Sequence, residues 1–133
     1  MSAEANDTSC VLWLDYGGVS ALFTGDVSST VEEGLLLRDG LDVFAGLGVQ
    51  LTETEILKVS HHGSSDATSL EFLRYLNVQT AMISCGENNP YRHPTEHTLT
   101  NLETVGASVF RTDKQGHIKV TVQNGSYKVS TYK

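Results

Sequence analysis

A mixed α/β sheet, covered by helices on at least one face, is the fold class this sequence predicts. Three observations carry that expectation. Between residues 55 and 112, short β-branched runs alternate with segments whose apolar residues recur at helical spacing, as parallel strands joined by helical crossovers require. Two pairs of turn residues, Gly17-Gly18 and Asn124-Gly125, each sit between apolar runs, as in two-residue β-hairpins. The chain has 133 residues, 39% apolar and 19% charged, enough to bury a core without disulfides and unlike a disordered composition.

The elements follow in order. Residues 10–16 (Cys10, Val11, Leu12, Trp13, Leu14, Asp15, Tyr16) form a strand, and Val19 to Thr24 forms its hairpin partner, ending at Gly25-Asp26. Ser28, Ser29 and Thr30 offer caps for a helix with Val31, Leu35, Leu36 and Leu41 as its stripe, interrupted by Gly40, Gly46 and Gly48. Glu55 to Ser60 is a short strand leading into His61-His62-Gly63-Ser64-Ser65. Thr68 and Glu71 have the spacing of a capping box, ahead of a helix buried through Leu70, Leu73 and Leu76. Val78 to Ser84 is the next strand. His93-Pro94 is expected to open a helix with the proline at its first position, with Leu99, Leu102 and Val105 as its stripe and Gly106 as its stop. Val109 to Thr112 is a strand, and the alternating Ile118, Val120 and Val122 pair across Asn124-Gly125 with Tyr127, Val129 and Tyr132.

Composition narrows the function classes. Nine basic and sixteen acidic residues give a net charge of −7, which argues against a broad phosphate-tracking surface but not against one small nucleic-acid site. No apolar run approaches the roughly 18–20 residues that cross a bilayer, so the segment is expected to be soluble, without membrane contact of its own. Met1 to Asp7 lack the apolar core of a signal peptide, and residues 1–5 are expected to be a leader or disordered. Cys10 and Cys85 form no CxxC and are expected to be buried free thiols.

Three polar clusters fall just past strand ends: Gly25-Asp26, His61-His62-Gly63-Ser64-Ser65, and Asn88 to Pro94. In open α/β sheets ligands bind at the carboxyl ends of strands, where segments distant in sequence converge. Carboxylate plus imidazole suits a divalent cation such as zinc or manganese. Each cluster also has a plainer reading. Asp26 can be a turn residue, the His pair a solvated loop, and His93 a helix cap. Ser64, Ser65 and Thr68 read as caps rather than nucleophiles, because no triad pattern accompanies them. His97, His117, Lys58, Arg92, Arg111 and Lys114 read as solvated.

Taken in order, the stretches VLWLDYGGVSALFTGD, ILKVSHHGSSDATSLEFL, AMISCGENNPYRHP and VFRTDKQGHIKV resemble the C-terminal half of the metallo-β-lactamase-fold domain of ComEC-type competence proteins. They are also similar to stand-alone hydrolases of that branch. The resemblance covers residues 6–122. It implies the C-terminal half of an αββα sandwich, with residues 6–133 as a partial domain. It implies two divalent ions, zinc or manganese, in a complete domain, with Asp26 bridging them. His61-His62 match the pair that supplies the last metal-ligand histidine; the resemblance favours His62 as the ligand, with His61 lining the site. His93 matches the histidine of an HP motif beside the substrate, and Asn6, Ser64 and Asp113 match supporting positions. Two cations held by a carboxylate activate water and stabilise charge building on a phosphoryl oxygen, and a helix after HHGSS would add N–H donors for an anion.

One departure is large. The family's HxHxDH-type motif is absent, since the five histidines stand at 61, 62, 93, 97 and 117. The segment is therefore expected to be incomplete as a catalyst and inactive alone. The resemblance implies a parent phosphodiesterase or nuclease acting in DNA uptake, an inner-membrane protein carrying this domain outside the bilayer, with DNA or another phosphodiester as substrate. The expected partners of the segment are the N-terminal half of the domain or, through an uncovered apolar face, a second copy. The alternative is a structural, self-associating half-domain without activity.

Overall fold

A computed structural model describes residues 5–37 and 48–133. Its centre is a five-stranded mixed sheet. The strands are β1 (Leu12–Tyr16), β2 (Val19–Phe23), β3 (Ile56–Lys58), β4 (Thr80–Ile83) and β5 (Ser108–Arg111), and they lie side by side in that order. β1 pairs antiparallel with β2, and β2 through β5 are parallel. The turn closing the first hairpin is Gly17-Gly18, with φ of +59° and +83°, which an L side chain would strain. The crossovers carry α1 (Ser29–Leu37), α2 (Leu70–Leu76) and α3 (Glu96–Thr104). A short α4 (Thr112–Gln115) leads to β6 (His117–Gln123), which pairs with β7 (Ser126–Tyr132) as a separate antiparallel hairpin.

The period-2 alternation of each strand assigns its two faces. Leu22, Leu57, Val59, Ala81 and Ile83 face the helices and are buried with Phe72, Leu73, Leu76 and Leu102. This is the main core, and the helical stripes of α2 and α3 fill it. On the other face Val19, Ala21 and Ile56 meet Val120, Val122 and Tyr127 of the β6–β7 hairpin. The Tyr127 hydroxyl and the Thr80 hydroxyl are 2.6 Å apart and fasten the hairpin to β4.

Several local expectations change. α2 is capped by Ser69, whose Oγ accepts from the Phe72 N–H at 3.2 Å, and not by Thr68. Thr68 instead has φ +58°, outside the extended conformation an N-cap takes. α3 starts two residues after Pro94, because Thr95 is in extended backbone and its hydroxyl accepts from Thr98 N–H. Both thiols are free, but Cys10 is exposed and Cys85 only half-buried, because β1 starts beyond Cys10 at the sheet's edge. The side chain of Leu36, together with Leu41 and the breaks at Gly40 and Gly46, lies outside the described residues, as do residues 1–4 of the expected leader. Among the described residues no helix is long and apolar enough to cross a membrane.

Candidate metal site at the strand ends

The loops after β2, β3 and β4 meet at one end of the sheet. His61 N–H donates to Gly25 O at 3.0 Å, and the Ser60 hydroxyl donates to Val27 O at 2.6 Å, so the Asp26 loop and the histidine turn are laced together. Asp26 itself is half-buried, and its N–H donates to the Ser9 hydroxyl at 3.2 Å. Ser28 N–H, two residues on, donates to Asp7 at 2.8 Å. The segment Asn6 to Ser9 thus supports the Asp26 loop through Asp7 and Ser9. Asn6 is half-buried at the start of that segment, and its carbonyl accepts from Ser9 N–H at 2.9 Å.

The histidine turn is held in a costly conformation. His61 and His62 have φ of +48° and +56°, a region that costs an L residue about 1–2 kcal/mol. Gly63 follows at φ +86°, and a Cβ there would lie 2.5 Å from Pro94 Cβ. Only glycine fits between the turn and the His93-Pro94 segment. The Gly63 carbonyl accepts from Thr95 N–H, Thr95 Oγ1 and Thr98 Oγ1 at 2.9, 3.0 and 2.9 Å. Buried Ser64 adds its carbonyl to Thr98 Oγ1 at 3.2 Å and its N–H to His61 O at 2.9 Å, which is a supporting role without an exposed hydroxyl. Backbone strain of this kind concentrates where a side chain must be aimed.

The three imidazoles converge. The His61 ring lies 6.2 Å from that of His62 and 5.8 Å from that of His93, centroid to centroid. His62 Nδ1 lies 2.7 Å from the Ser84 carbonyl. As a donor there it leaves Nε2 free on an exposed ring, the arrangement in which metal-binding histidines are held. His61 Nδ1 is buried without a hydrogen-bond partner, 3.5 Å from an Asp66 oxygen. Asn89 grips His93 from both sides: its Oδ1 accepts from His93 N–H at 2.9 Å and its Nδ2 donates to His93 O at 2.7 Å. Burial pulls the His93 pKa below the ordinary histidine value, and the neighbouring His61 and His62 pull it further. Tyr91 stacks on His93 at 5.8 Å, and with His62, Ser84, Cys85 and Asn89 the pair lines an open cavity of about 290 Å³.

Two basic groups expected to be solvated are not. Arg111 donates to both carboxylate oxygens of Asp113 at 3.0 and 2.7 Å, because their spacing at the end of β5 matches a guanidinium fork. That pair lowers the Asp113 pKa and raises that of Arg111, and it sits beside Cys85, whose thiol burial pushes up. Lys58 is half-buried with its ammonium 3.2 Å from Val59 O; burial lowers its pKa and the Asp26 charge partly counters this. Asn89 lies within the third polar cluster, but the roles of Asp7, Ser9, Asn89 and Thr95 have no assignment in the sequence reading. The Asn-Pro turn and the residues ahead of each helix were the available signals.

The donor types present suit a divalent cation, but among the described residues no three of them gather into a group that could close around one. Asp26 and His62 stand on neighbouring loops, joined through the bond from His61 N–H to Gly25 O. The expected anion-binding helix start is not available either. α2 begins well past Ser65, and the N–H groups of Thr68 and Ser69 ahead of it already bond to Glu32.

Comparison with known proteins defines the class. Residues 3–87, more than half of the chain, match the metallo-β-lactamase superfamily, and the chain belongs to it. Within that superfamily it is similar to competence proteins: 36% identical over 130 residues to ComE operon protein 3 of Bacillus subtilis, and 32% over 125 residues to competence protein ComA of Neisseria gonorrhoeae. These alignments cover 98% and 94% of this chain but 16% and 17% of those proteins. Recombination protein 2 of Haemophilus influenzae is 31% identical over 115 residues, 86% of this chain and 13% of that protein. The chain thus spans about a sixth of the length of the curated relatives it matches. No solved structure matches. The segment is a hydrolase-fold domain related to competence proteins, in a superfamily that generally binds metal.

Proposed function

We propose that this chain is the C-terminal part, residues 6–133, of a two-metal phosphodiesterase or nuclease domain that serves DNA uptake in a membrane-anchored parent. The observation that carries the reading is the strand-end cluster. Asp26, His62, His61 and His93 come from three loops, and His62 is tied to Ser84 O with Nε2 left outward. In this reading Asp26 would be the ligand shared by two ions, zinc or manganese, and His62 would hold one of them. The remaining ligands come from the N-terminal half of the domain. Bound ions would stabilise charge on a phosphoryl oxygen. His93, which lines the 290 Å³ cavity, and His61, whose ring is 5.8 Å from that of His93, orient the substrate there, while Asp113, Ser64 and Asn6 support the surrounding loops.

Calorimetric titration of the chain with zinc or manganese should show weak binding that Asp26→Ala or His62→Ala abolishes. Adding back the N-terminal half should produce hydrolysis of a DNA oligonucleotide. Turnover by this chain alone, lost in Asp26→Ala, or no turnover by the restored domain, would refute the reading.

One observation favours a second reading, a self-associating half-domain. Leu12, Leu14 and Tyr16 on β1 and Phe23 on β2 are exposed on one face of the sheet. A second copy seated there would bury them. A monodisperse monomer in light scattering at high concentration refutes it.

A further inference from the structure

Glu32 in α1 is 1% exposed, the one charged side chain buried to that degree among the described residues. Its two oxygens accept from consecutive main-chain N–H groups, Thr68 at 2.7 Å and Ser69 at 3.1 Å. α1 grips the same segment a second time, since Ser29 N–H donates to Asp66 O at 2.7 Å. Asp66 in turn faces His61 Nδ1 at 3.5 Å, a buried ring nitrogen with no hydrogen-bond partner. Thr68 has φ +58°, a conformation a β-branched residue takes only when its surroundings impose it. Glu32 on its N–H and Asn101 Nδ2 on its carbonyl, at 3.1 Å, are the imposing contacts.

We infer that Glu32 is a positioning residue for the strand-end site: by holding the Asp66–Ser69 segment against α1 it fixes the His61–His62 turn from behind. The inference rests on reading that turn as a site, yet its geometry is testable without metal or substrate. A carboxylate accepts both N–H groups, whereas a protonated acid turns one oxygen into a donor. Burial pushes the Glu32 carboxyl up to about 7, the two N–H groups counter this, and Asp66, the charged side chain acting on it, adds to the rise. The grip is therefore full in mildly alkaline solution and loosens as the pH falls below about 7.

Native-state hydrogen exchange by NMR on the whole chain tests this. In Glu32→Gln at pH 8, where the amide nitrogen faces one of the two N–H groups, protection factors at His61, Ser64, Thr68 and Ser69 should fall about tenfold, while the amides of β3 and β4 keep theirs. A uniform fall across the chain would mean that Glu32 supplies only global stability. A fall confined to Thr68 and Ser69 would mean that the turn does not depend on it. Either result overturns the inference. Should the variant fail to fold, the wild-type chain carries the test: lowering the pH from 8 to 6 should loosen the same four amides, and unchanged protection overturns the proposal. Selective loosening in a chain that binds no cation would refute the metal-site reading and leave this inference standing.

Discussion

The two faces of the central sheet are built from the same strands and differ sharply. The face toward the helices is closed: Leu22, Leu57, Ala81 and Ile83 are at most 1% exposed. On the opposite face Leu12, Leu14 and Phe23 are 57%, 50% and 39% exposed, and the β6–β7 hairpin covers only the part around Val19, Ala21 and Ile56. Between hairpin and sheet an apolar groove of about 290 Å³ runs past Leu14, Tyr16, Phe23 and Met82. Leu12, Leu14 and Tyr16 of β1 continue the apolar row of Val19, Ala21 and Phe23 across the same face, so this face has the composition of a buried surface, and among the described residues the hairpin covers only part of it. Stability of the segment therefore resides on the helix side, while the open side leaves large apolar side chains in solvent.

The largest effect that sharpens this contrast is expected on the closed face. Leu57→Ala removes buried methyl groups beside Leu22 and Ala81 and should cost about 2–5 kcal/mol, a large share of the 5–15 kcal/mol typical of a domain. Chemical denaturation should show the midpoint falling or the chain unfolded. A cost under about 1 kcal/mol would mean that the helix side is not the stabilising core.

Next comes the buried charge at the rim of that core. The folded-state pKa of Glu32 is raised to about 7 from 4.5, so the folded chain binds a proton that the unfolded chain has lost. The proton that loosens the two main-chain bonds also removes a buried charge, and burial is the larger effect, so the net contribution to folding is full below pH 4.5 and is lost as pH rises through 7, on the order of 3 kcal/mol over that window. Glu32→Gln should flatten this part of the stability profile. Asp113 acts in the opposite sense and at lower pH: held down by Arg111, it contributes stability above the ordinary aspartate value that disappears as pH falls through its lowered pKa. Urea midpoints between pH 4.5 and 8 that are the same for wild type and Glu32→Gln would show that the carboxyl titrates as a solvated one.

A smaller effect belongs to the helix caps on the closed side. Ser69→Ala removes the acceptor for Phe72 N–H and should cost about 1 kcal/mol. Thr68→Ala should leave that bond intact, which separates the observed cap from the one the spacing of Thr68 and Glu71 suggests. Equal losses in the two variants would restore Thr68 as the cap.

That exchange of caps marks where sequence reading stops. The strands, their parallel crossovers and the hairpins were readable because short β-branched runs, helical stripes and Gly17-Gly18 or Asn124-Gly125 turns leave local signatures. The meeting of the histidine pair with His93, and of its turn with the Gly25-Asp26 loop, followed from their places after strands. The conformation of the site did not, because left-handed backbone at His61 and His62 is imposed from outside by Gly25, Thr95 and Thr98. Pro94 suggested a helix start, but the bonding of Thr95 to Gly63 O moves that start downstream. Glu32 gave no signal at all, since a glutamate in a first turn is ordinarily solvated, and only the fold of the 66–69 segment over α1 buries it.

The smallest effect on stability is expected on the open face, where it sharpens the comparison most. Leu14 is half exposed and lies across from Ala21, on the rim of the groove. Leu14→Ser removes little that the isolated chain buries, so its unfolding midpoint should shift by no more than about 0.5 kcal/mol. What should change is association. If this face receives a covering partner, the serine hydroxyl would be buried there without a matching donor or acceptor, at a cost of about 1–3 kcal/mol. Light scattering of the chain at high concentration, or its binding to a separately made N-terminal half, should therefore show weakened association while the monomer stays folded. A loss of stability in the monomer as large as that from Leu57→Ala would erase the distinction between the two faces. Unchanged association with both partners would place the contact surface elsewhere.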